Sequence, residues 1–331
     1  MSEDYAFKDY NQYSSPQLAV MMRMSNAFHN ALNNARILTN STIFIADYGS
    51  SECLNSLLFF KDSFAPFRET SQQPILLFHN DLPTNNWTKS FKTILEHQNS
   101  YVNLPNIYFS SIGRSFFNQI LPDSSVHIGF SSLAFHFLSE DLCAPDHALA
   151  SSSVDQEFKE RIVKFAHEDL INLLELRYKE LVDHGVLLMQ FAGENMDIGV
   201  YLHEANEKAY EKGIINREEK RNLSTGSYGR TTEEVQRALD IEREKFKVLY
   251  ISKEKIPMFN EKNEKNIEVF LGLCRGFLGF KLQKSVRRTD EERNQILKFY
   301  IDELLDIFER RDHQLLTDIY IISLEKIPKE R

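Results

Sequence analysis

Hydrophobic positions along the chain follow two kinds of pattern. Short runs rich in branched apolar residues alternate with longer stretches in which apolar residues recur at helical spacing. This alternation is typical of an α/β fold built on a parallel sheet. The runs that we predict to be strands cover residues 42–47, 75–80, 107–111, 126–130, 186–191, 247–252 and 319–324.

Amphipathic helices are predicted over residues 18–38, 158–182 and 296–308, where apolar residues fall on one helical face. The chain between the fifth and sixth strands is helical but polar, and a second irregular stretch precedes the last helix. The predicted segments are an N-terminal segment that closes over the site (1–30), an α/β core that binds the cofactor (31–193), a mostly helical cap with one core strand near 247–252 (194–289), and a C-terminal helix and strand of the core (290–331). Whether the last strand enters at a sheet edge stays open.

Composition excludes several classes of protein. The 331 residues carry a formal net charge of −9 with no long basic block, which argues against a nucleic-acid partner. No run of about 18 apolar residues occurs, so no membrane span is predicted. The three cysteines are odd in number and widely spaced, which favours a reducing compartment. Because the N-terminus is polar and has no apolar signal core, we expect a cytoplasmic protein.

Two acidic residues end the first two predicted strands. Asp47 ends the first strand in IFIADYGSSECLN, and Gly49 opens the turn that follows, although an Asp there is often only an N-cap. Asp81 lies thirty-four residues later, at the end of the second strand, where a carboxylate can accept the hydroxyls of a ribose. The two motifs fit an adenosyl cofactor but do not by themselves separate S-adenosylmethionine from NAD. The lack of a full GxGxxG and a seventh strand from a C-terminal helix–strand unit favour S-adenosylmethionine.

Several blocks of the sequence resemble, in order, the motifs of one enzyme family. ADYGSSECLN resembles ADLGCSSGPN, FHNDLPTNNW resembles LNDLPGNDF, and FSSLAFHFLS resembles HSSYSLHWLS. The family is the plant-type SABATH family of S-adenosylmethionine-dependent carboxyl methyltransferases, and the resemblance runs from about residue 10 to residue 324. It implies an α/β fold with a Rossmann-like, seven-stranded class I methyltransferase sheet and a helical cap subdomain. It also implies S-adenosyl-L-methionine as cofactor and a small-molecule carboxylic acid as substrate.

The resemblance further implies which residues bind the cofactor. Tyr10 and Ser14 match the N-terminal segment that closes over it, and Ser50 and Asn55 match positions that meet its methionine part. Asp47 and Gly49 belong to the same turn.

The adenosine part of the cofactor has its own matched positions. Asp81 would hold the ribose, and Leu82 would pack on the adenine. Ser115 and Phe116 match a pair that borders the adenine, with plain core packing as the alternative for Phe116.

Three residues are candidates for the acceptor side. Gln17 stands seven residues after Tyr10, the spacing at which the family has a glutamine that binds the acceptor carboxylate. His136 matches a histidine found in some members, and Phe137 replaces a tryptophan whose indole donates to the carboxylate. Phenylalanine keeps the apolar wall but loses this donor. His136 either compensates or is a structural residue.

The size of the acceptor pocket depends on two further positions. Phe130, together with Phe137, would line the pocket. Gly199 aligns roughly where the family has a bulky pocket tryptophan, so the acceptor is either large or the pocket is lost.

The chemistry of methyl transfer explains why a neutral amide suits a carboxylate acceptor. A carboxylate with a pKa near 4 is ionised at neutral pH, so its attack needs no general base. Its charge and that of the sulfonium cancel in the transition state, so an apolar pocket that positions the reactants favours the reaction. A hydroxyl acceptor would usually need a base, for which His136 is the candidate.

The sequence therefore predicts methyl transfer from S-adenosylmethionine to the carboxylate of a small, largely apolar acid. One alternative is an N- or O-methyltransferase for another small molecule, and another is a non-catalytic homologue that binds the cofactor. No metal is predicted, because the positions that the family associates with magnesium are altered and no histidine pair has metal-binding spacing. A homodimer is implied by the resemblance.

Overall fold

The computed structural model describes residues 10–224, 227–259, 263–311 and 315–329, and these form a seven-stranded sheet with helices around it. The strands are β1 (Ile43–Tyr48), β2 (Ile75–Asp81), β3 (Ile107–Gly113), β4 (Val126–Ser132), β5 (Leu181–Met196), β6 (Phe246–Pro257) and β7 (Leu316–Lys326). All seven predicted strands are confirmed. Their order across the sheet is β3-β2-β1-β4-β5-β7-β6.

The direction of one strand differs from the prediction of a parallel sheet. Strands β1 to β5 run parallel, whereas β7 lies antiparallel between β5 and β6. The last strand is therefore interior, and β6 forms the edge. The burial of nearly every residue from 318 to 324 fits an interior strand, while the mostly exposed β6, with its lysines, fits an edge.

The helices are α1 (Tyr10–Tyr13), α2 (Ser15–Met21), α3 (Ser25–Leu38), α4 (Leu54–Thr70), α5 (Trp87–Glu96), α6 (Gln156–Glu180), α7 (Asp197–Glu211), α8 (Arg217–Asn222), α9 (Thr232–Ile241), α10 (Glu264–Ser285) and α11 (Asp290–Arg310). The predicted helices over 158–182 and 296–308 are confirmed as α6 and α11. The single helix predicted over 18–38 is wrong, because a 3-10 turn (Met22–Met24) separates α2 from α3. No helix within the described ranges is long and apolar enough to cross a membrane.

Apolar side chains cover both faces of the sheet. On one face, α3 and α4 bring Phe28, Phe59 and Phe60 against Phe130 of β4, with ring centroids 4.7–5.9 Å from that of Phe130. The prediction that Phe130 lines the acceptor pocket is therefore wrong, because its fully buried ring fills this core. On the other face, α6 and α9 complete a second apolar cluster.

A third apolar cluster lies among α7, α10 and α11 and forms the helical cap. Two helices pack against elements of a predicted segment other than their own. Helix α9 packs against α6 beside the sheet, although it belongs to the segment predicted as cap. Helix α11 packs against α10 and α7, while β7, which follows it, enters the sheet.

Candidate active site

The chain turns sharply at the end of β1, on the carboxyl edge of the sheet. Gly49 has a φ of 87°, and a Cβ at this position would overlap the Cβ of Ala134, so glycine is required by both backbone and space. The amides of Gly49 and Ser50 donate to the carbonyl of Asn80 at 2.9 and 3.0 Å. The turn is thereby held against the end of β2 and the segment after β4.

Asp81 binds the same turn with its carboxylate. Its Oδ2 accepts from the amide of Ser51, and its Oδ1 accepts from the amide of Leu82, both at 2.7 Å. Burial of the carboxylate raises the pKa of Asp81 to about 6, and nearby Asp47 adds to the rise, although the two amides oppose it. Each oxygen keeps acceptor capacity for one more donor, which suits the two hydroxyls of a ribose.

Asp47 lies beneath the turn and not on its surface. Its carboxylate is 2 % exposed, and its Oδ2 lies 2.9 Å from Nδ1 of His79 on β2. The sequence analysis missed His79. Because β1 and β2 are parallel with Asp47 opposite His79, the register of the sheet itself creates this pair.

The N-terminal segment is fastened over the turn by a residue that the sequence analysis also missed. The backbone amide of Asn11 donates to Oε2 of Glu52 at 3.1 Å, and its side-chain amide donates to the carbonyl of Glu52 at 3.2 Å. In return, the amide of Leu54 donates to Oδ1 of Asn11 at 3.3 Å. Helix α1 is thus bound directly to the start of α4.

Three predicted cofactor residues meet beside this contact. The hydroxyl of buried Ser14 donates to Oδ1 of Asn55 at 3.2 Å, and the Asn55 amide donates to the carbonyl of Ser14 at 3.0 Å. The phenol of Tyr10 lies near Asn55 and Asp81, and burial, with the charge of Asp81, raises the pKa of Tyr10. The structure therefore brings Tyr10, Ser14 and Asn55 together with Asp81.

The segment after β3 carries the predicted adenine contacts. The hydroxyl of Ser115 accepts from the backbone amide two residues later at 3.3 Å, and the ring of Phe116 packs 5.3 Å from that of Phe135. Buried Arg177 of α6 donates to the carbonyl of Phe116 at 3.0 Å and so holds this segment in place. Leu82 is 48 % exposed and free to cover a ligand.

Gln17 lies on α2 with its side chain half-buried. Its Oε1 is inaccessible to solvent and makes no hydrogen bond to the described residues. Because a carboxylate only accepts hydrogen bonds, an acceptor acid would meet the Nε2 donor of this amide and not Oε1. Helix α2 is tied to the sheet by buried Gln190 of β5, which donates to the carbonyl of Val20 and accepts from the hydroxyl of Ser132, both at 2.9 Å. Gln190 was not a predicted site residue.

His136 and Phe137 lie in the loop that follows β4. Burial and the charge of Arg230 lower the pKa of His136 to about 3, so the imidazole is neutral at physiological pH. Arg230 is itself buried and donates to the carbonyl of Phe135 at 2.9 Å, which fixes the backbone next to His136. Phe137 is 37 % exposed and leaves an apolar surface at the edge of the site.

The space beside Gly199 is already filled. A side chain at this position would overlap the side chain of Leu149, which reaches α7 from the loop before α6. Gly199 therefore adds no room to an acceptor pocket.

The residues around the turn fit S-adenosylmethionine by their charge. Asp47 lies beneath the turn and Asp81 at the adjoining end of β2, and these carboxylates complement a cofactor that carries a sulfonium and an ammonium group. Glu52 of the turn is paired with Lys89 at 2.9 Å. Within the part of the chain that the structure describes, no cluster of three or more His, Cys, Asp or Glu residues could hold a metal ion.

Comparison with known proteins agrees with this geometry. The family described as SAM-dependent carboxyl methyltransferase matches residues 5–272. Methyltransferase FUS9 of Gibberella moniliformis is 25% identical over 96% of this chain and 95% of its own length. Anthranilate O-methyltransferase 3 of Zea mays is 26% identical over 60% of this chain and 58% of its own length.

The solved structure of a loganic acid methyltransferase with SAH is similar in fold. It has a TM-score of 0.77 and 18% identity, and it covers 97% of this chain and 96% of its own. The predicted class I methyltransferase fold, the cofactor and the enzymatic activity are confirmed. Since the family match extends over most of the 331 residues, this chain belongs to the SAM-dependent carboxyl methyltransferases.

Proposed function

We propose that the acceptor of this carboxyl methyltransferase is a small, largely apolar acid whose carboxylate is held by the Gln17 amide. The observation that carries the proposal is the position of His136, whose Nδ1 is inaccessible to solvent and which lies near the charge of Arg230. Both effects lower the pKa of His136 to about 3 and make it a poor general base at neutral pH. An acceptor that is already ionised needs no base. The Nε2 of the half-buried Gln17 would supply a neutral hydrogen-bond donor for it.

Different residues of the site would bind different parts of the cofactor. Bound S-adenosylmethionine supplies the electrophilic methyl group. Asp81 would accept the ribose hydroxyls, while Leu82, Ser115 and Phe116 would enclose the adenine. The residues that would surround the methionine end are Tyr10, Ser14, Asp47, Gly49, Ser50 and Asn55.

The acceptor residues position the carboxylate and exclude water. A neutral amide at Gln17 can orient the anion without stabilising it as strongly as an arginine would, which leaves more of its reactivity for the transition state. Phe137 would supply an apolar wall in which the two opposite charges cancel favourably. Correct positioning of the reacting atoms can lower the barrier by several kcal/mol.

Two observations support the chemical class of acceptor. By their names, similar enzymes act on anthranilate, gibberellic acid and farnesoic acid, which share a carboxyl group. Leu149 occupies the space beside Gly199, which supports a small acceptor over a large one.

A panel of acceptors tests the proposal. The purified protein is incubated with S-adenosylmethionine and small aromatic and aliphatic acids, with the matched amides, phenols and amines as controls. We expect methyl esters, identified by mass spectrometry, from acids alone. Methylated phenols or amines without any ester would overturn the proposal, and so would cofactor binding without turnover on any class or on a cell extract.

The pH dependence of the rate separates the same alternatives. With cofactor saturating, turnover on an acid should stay flat from about pH 6 to 8 in both wild type and His136→Ala. A rise in wild type near pH 6.5 that disappears in His136→Ala would instead show a histidine base and a hydroxyl or nitrogen acceptor.

Three further features of the protein remain proposals. We expect a cytoplasmic homodimer, and a light-scattering mass of one chain at micromolar concentration would contradict the dimer. We expect no metal requirement, so treatment with a chelator should leave activity unchanged.

A further inference from the structure

Three buried side chains form a row that leads from the apolar core to the turn after β1. Oη of Tyr101 lies 2.7 Å from Nε2 of His79, and Nδ1 of His79 lies 2.9 Å from Oδ2 of Asp47. Their exposed fractions are 0, 0 and 2 %. We propose that His79, supported by Tyr101, is a positioning residue that fixes the Asp47 carboxylate for binding of the cofactor's methionine end. This inference depends on the proposed cofactor role of Asp47.

His79 has one hydrogen-bonding partner at each ring nitrogen. A carboxylate can only accept a hydrogen bond, so Nδ1 of His79 is the donor to Asp47. In the tautomer with its proton on Nδ1, Nε2 accepts the hydroxyl proton of Tyr101. Burial raises the pKa of Tyr101 well above its ordinary value, with contributions from Cys53 and Asp47, so this hydroxyl stays protonated.

The position of each ring is determined by packing on more than one side. The ring of Tyr101 lies 6.2 Å from Phe64 of α4 and 6.4 Å from Phe109 of β3, both edge-on. The imidazole of His79 lies 6.5 Å from the same Phe109. The imidazole that reaches Asp47 is therefore held in position from the core side.

A functional role follows from the location of Asp47. A buried carboxylate without a donor is costly, and it would rotate toward water or take up a proton. Either change would remove an oriented negative charge from the place where a cationic methionine end is expected. The same strand presents Asp81 two residues after His79, so β2 would hold both ends of the cofactor.

The hydrogen-bonded row Tyr101–His79–Asp47, here called the relay, departs from the family's motif at His79. The segment LNDLPGNDF, which FHNDLPTNNW resembles, has leucine at the position of His79. His79→Leu therefore introduces the family's residue while it removes the donor, and His79→Asn restores a shorter donor. Tyr101→Phe removes the supporting hydroxyl and keeps the ring.

Binding and steady-state kinetics of the full chain test the proposal. We expect Tyr101→Phe to raise the Kd for S-adenosylhomocysteine and the KM for S-adenosylmethionine by about threefold to tenfold, and His79→Leu by about tenfold to a hundredfold. Turnover at saturation and the KM for the acceptor should change by less than about twofold, since the contact to the cofactor is lost equally in the ground state and in the transition state. His79→Asn should recover part of the loss.

A matched control separates positioning from simple stability. Tyr108→Phe removes a hydroxyl from an exposed tyrosine on the neighbouring strand β3 and should leave every constant unchanged. Folded His79→Leu and Tyr101→Phe proteins with lowered melting temperatures but unchanged Kd and KM would overturn the relay. If Kd and KM are unchanged in those variants but Asp81→Ala loses cofactor affinity in the same assay, the relay is wrong and the proposed cofactor site is retained. If wild type binds no S-adenosylhomocysteine, the proposed function itself fails.

Discussion

The two halves of the site are held together by different kinds of contact. The cofactor half, formed by the turn after β1, Asp81 and the N-terminal segment, is held by hydrogen bonds in which the backbone of the turn takes part, to the Asn80 carbonyl and to the side chains of Asn11 and Asp81. The acceptor half, formed by Gln17, His136 and Phe137, depends on side chains such as Gln190 and Arg230 that join distant elements. The backbone groups of the turn are present whatever side chains the turn carries. This favours one fixed ligand in the cofactor half, and the acceptor half is suited to variation among acids.

The largest effect that this comparison predicts is at Asp81. Asp81→Ala removes the acceptor of the ribose hydroxyls and frees the amides of Ser51 and Leu82, so affinity for S-adenosylhomocysteine should fall by about 30- to 140-fold, or 2–3 kcal/mol. Isothermal titration calorimetry measures this directly. Asp81→Asn should lose less, because it keeps one carbonyl oxygen. The matched control is Asp62→Ala, an exposed carboxylate on α4, and equal affinity in wild type and Asp81→Ala would disprove the ribose contact.

A substitution in the acceptor half should change turnover and should leave cofactor binding unchanged. Gln17→Ala should raise the barrier on an acid substrate by about 1–3 kcal/mol, because an oriented hydrogen bond to a charged group is lost. The ratio kcat/KM for the acid reports this loss, while the Kd for S-adenosylhomocysteine should stay within about twofold. Gln12→Ala, on the exposed side of α1, is the control. A loss of cofactor affinity in Gln17→Ala with normal acid turnover would place Gln17 in the other half.

Local features of the site could be predicted from the sequence, whereas contacts between distant residues could not. Asp47, Gly49 and Asp81 are recognisable because a strand end, a glycine turn and an acid are local features, and the sheet then brings them together. His79, Asn11 and Gln190 act on partners 32 to 170 residues away, so nothing near them in the sequence marks their role.

Packing accounts for the remaining errors. Phe130 stands where the family's block has histidine, and its ring packs in the core because α3 and α4 present three phenylalanines to that face of β4. The space at Gly199 is filled by Leu149, fifty residues earlier. The interior position of β7 had no clear local signal, since β6 and β7 each carry a run of four apolar residues, 248–251 and 319–322.

A pH titration should separate the two halves further. Because the pKa of Asp81 is about 6, the carboxylate that accepts the ribose is lost as the pH falls below 6, and affinity for S-adenosylhomocysteine should then decline toward tenfold per pH unit. Affinity at pH 5 should be about one tenth of that at pH 7.5. Asp81→Asn should lack this dependence. An unchanged affinity at pH 5 in wild type would contradict an ionised Asp81 contact.

The stability of the unliganded protein should change with pH in the opposite direction to its affinity for S-adenosylhomocysteine. The folded state binds the proton of Asp81 more tightly than the unfolded chain does, because the unfolded carboxyl titrates near 4. The contribution of Asp81 to stability should therefore improve as the pH falls from about 6 to about 4. Melting temperatures of wild type and Asp81→Asn, with and without S-adenosylhomocysteine, separate this contribution from those of other groups.

The smallest effect concerns backbone strain in the cofactor half. Cys53 has a φ of 68°, in the left-handed region, at a position where the family motif has glycine. Cys53→Ala keeps the strain and loses the buried thiol, whereas Cys53→Gly loses the thiol but relieves strain of about 1 kcal/mol. The free energy of unfolding of Cys53→Gly should therefore equal that of Cys53→Ala or exceed it by up to about 1 kcal/mol.

Cys274 of helix α10 provides the control in the cap, because it is buried to the same 1 % exposure within a regular helix. There glycine should be less stable than alanine by about 1 kcal/mol, the ordinary cost of glycine inside a helix. Urea unfolding of the four variants gives both differences, and the prediction is that they have opposite signs. If glycine is worse than alanine at both positions, then the turn at Cys53 stores no strain, and the cofactor half is no more constrained in its backbone than the cap.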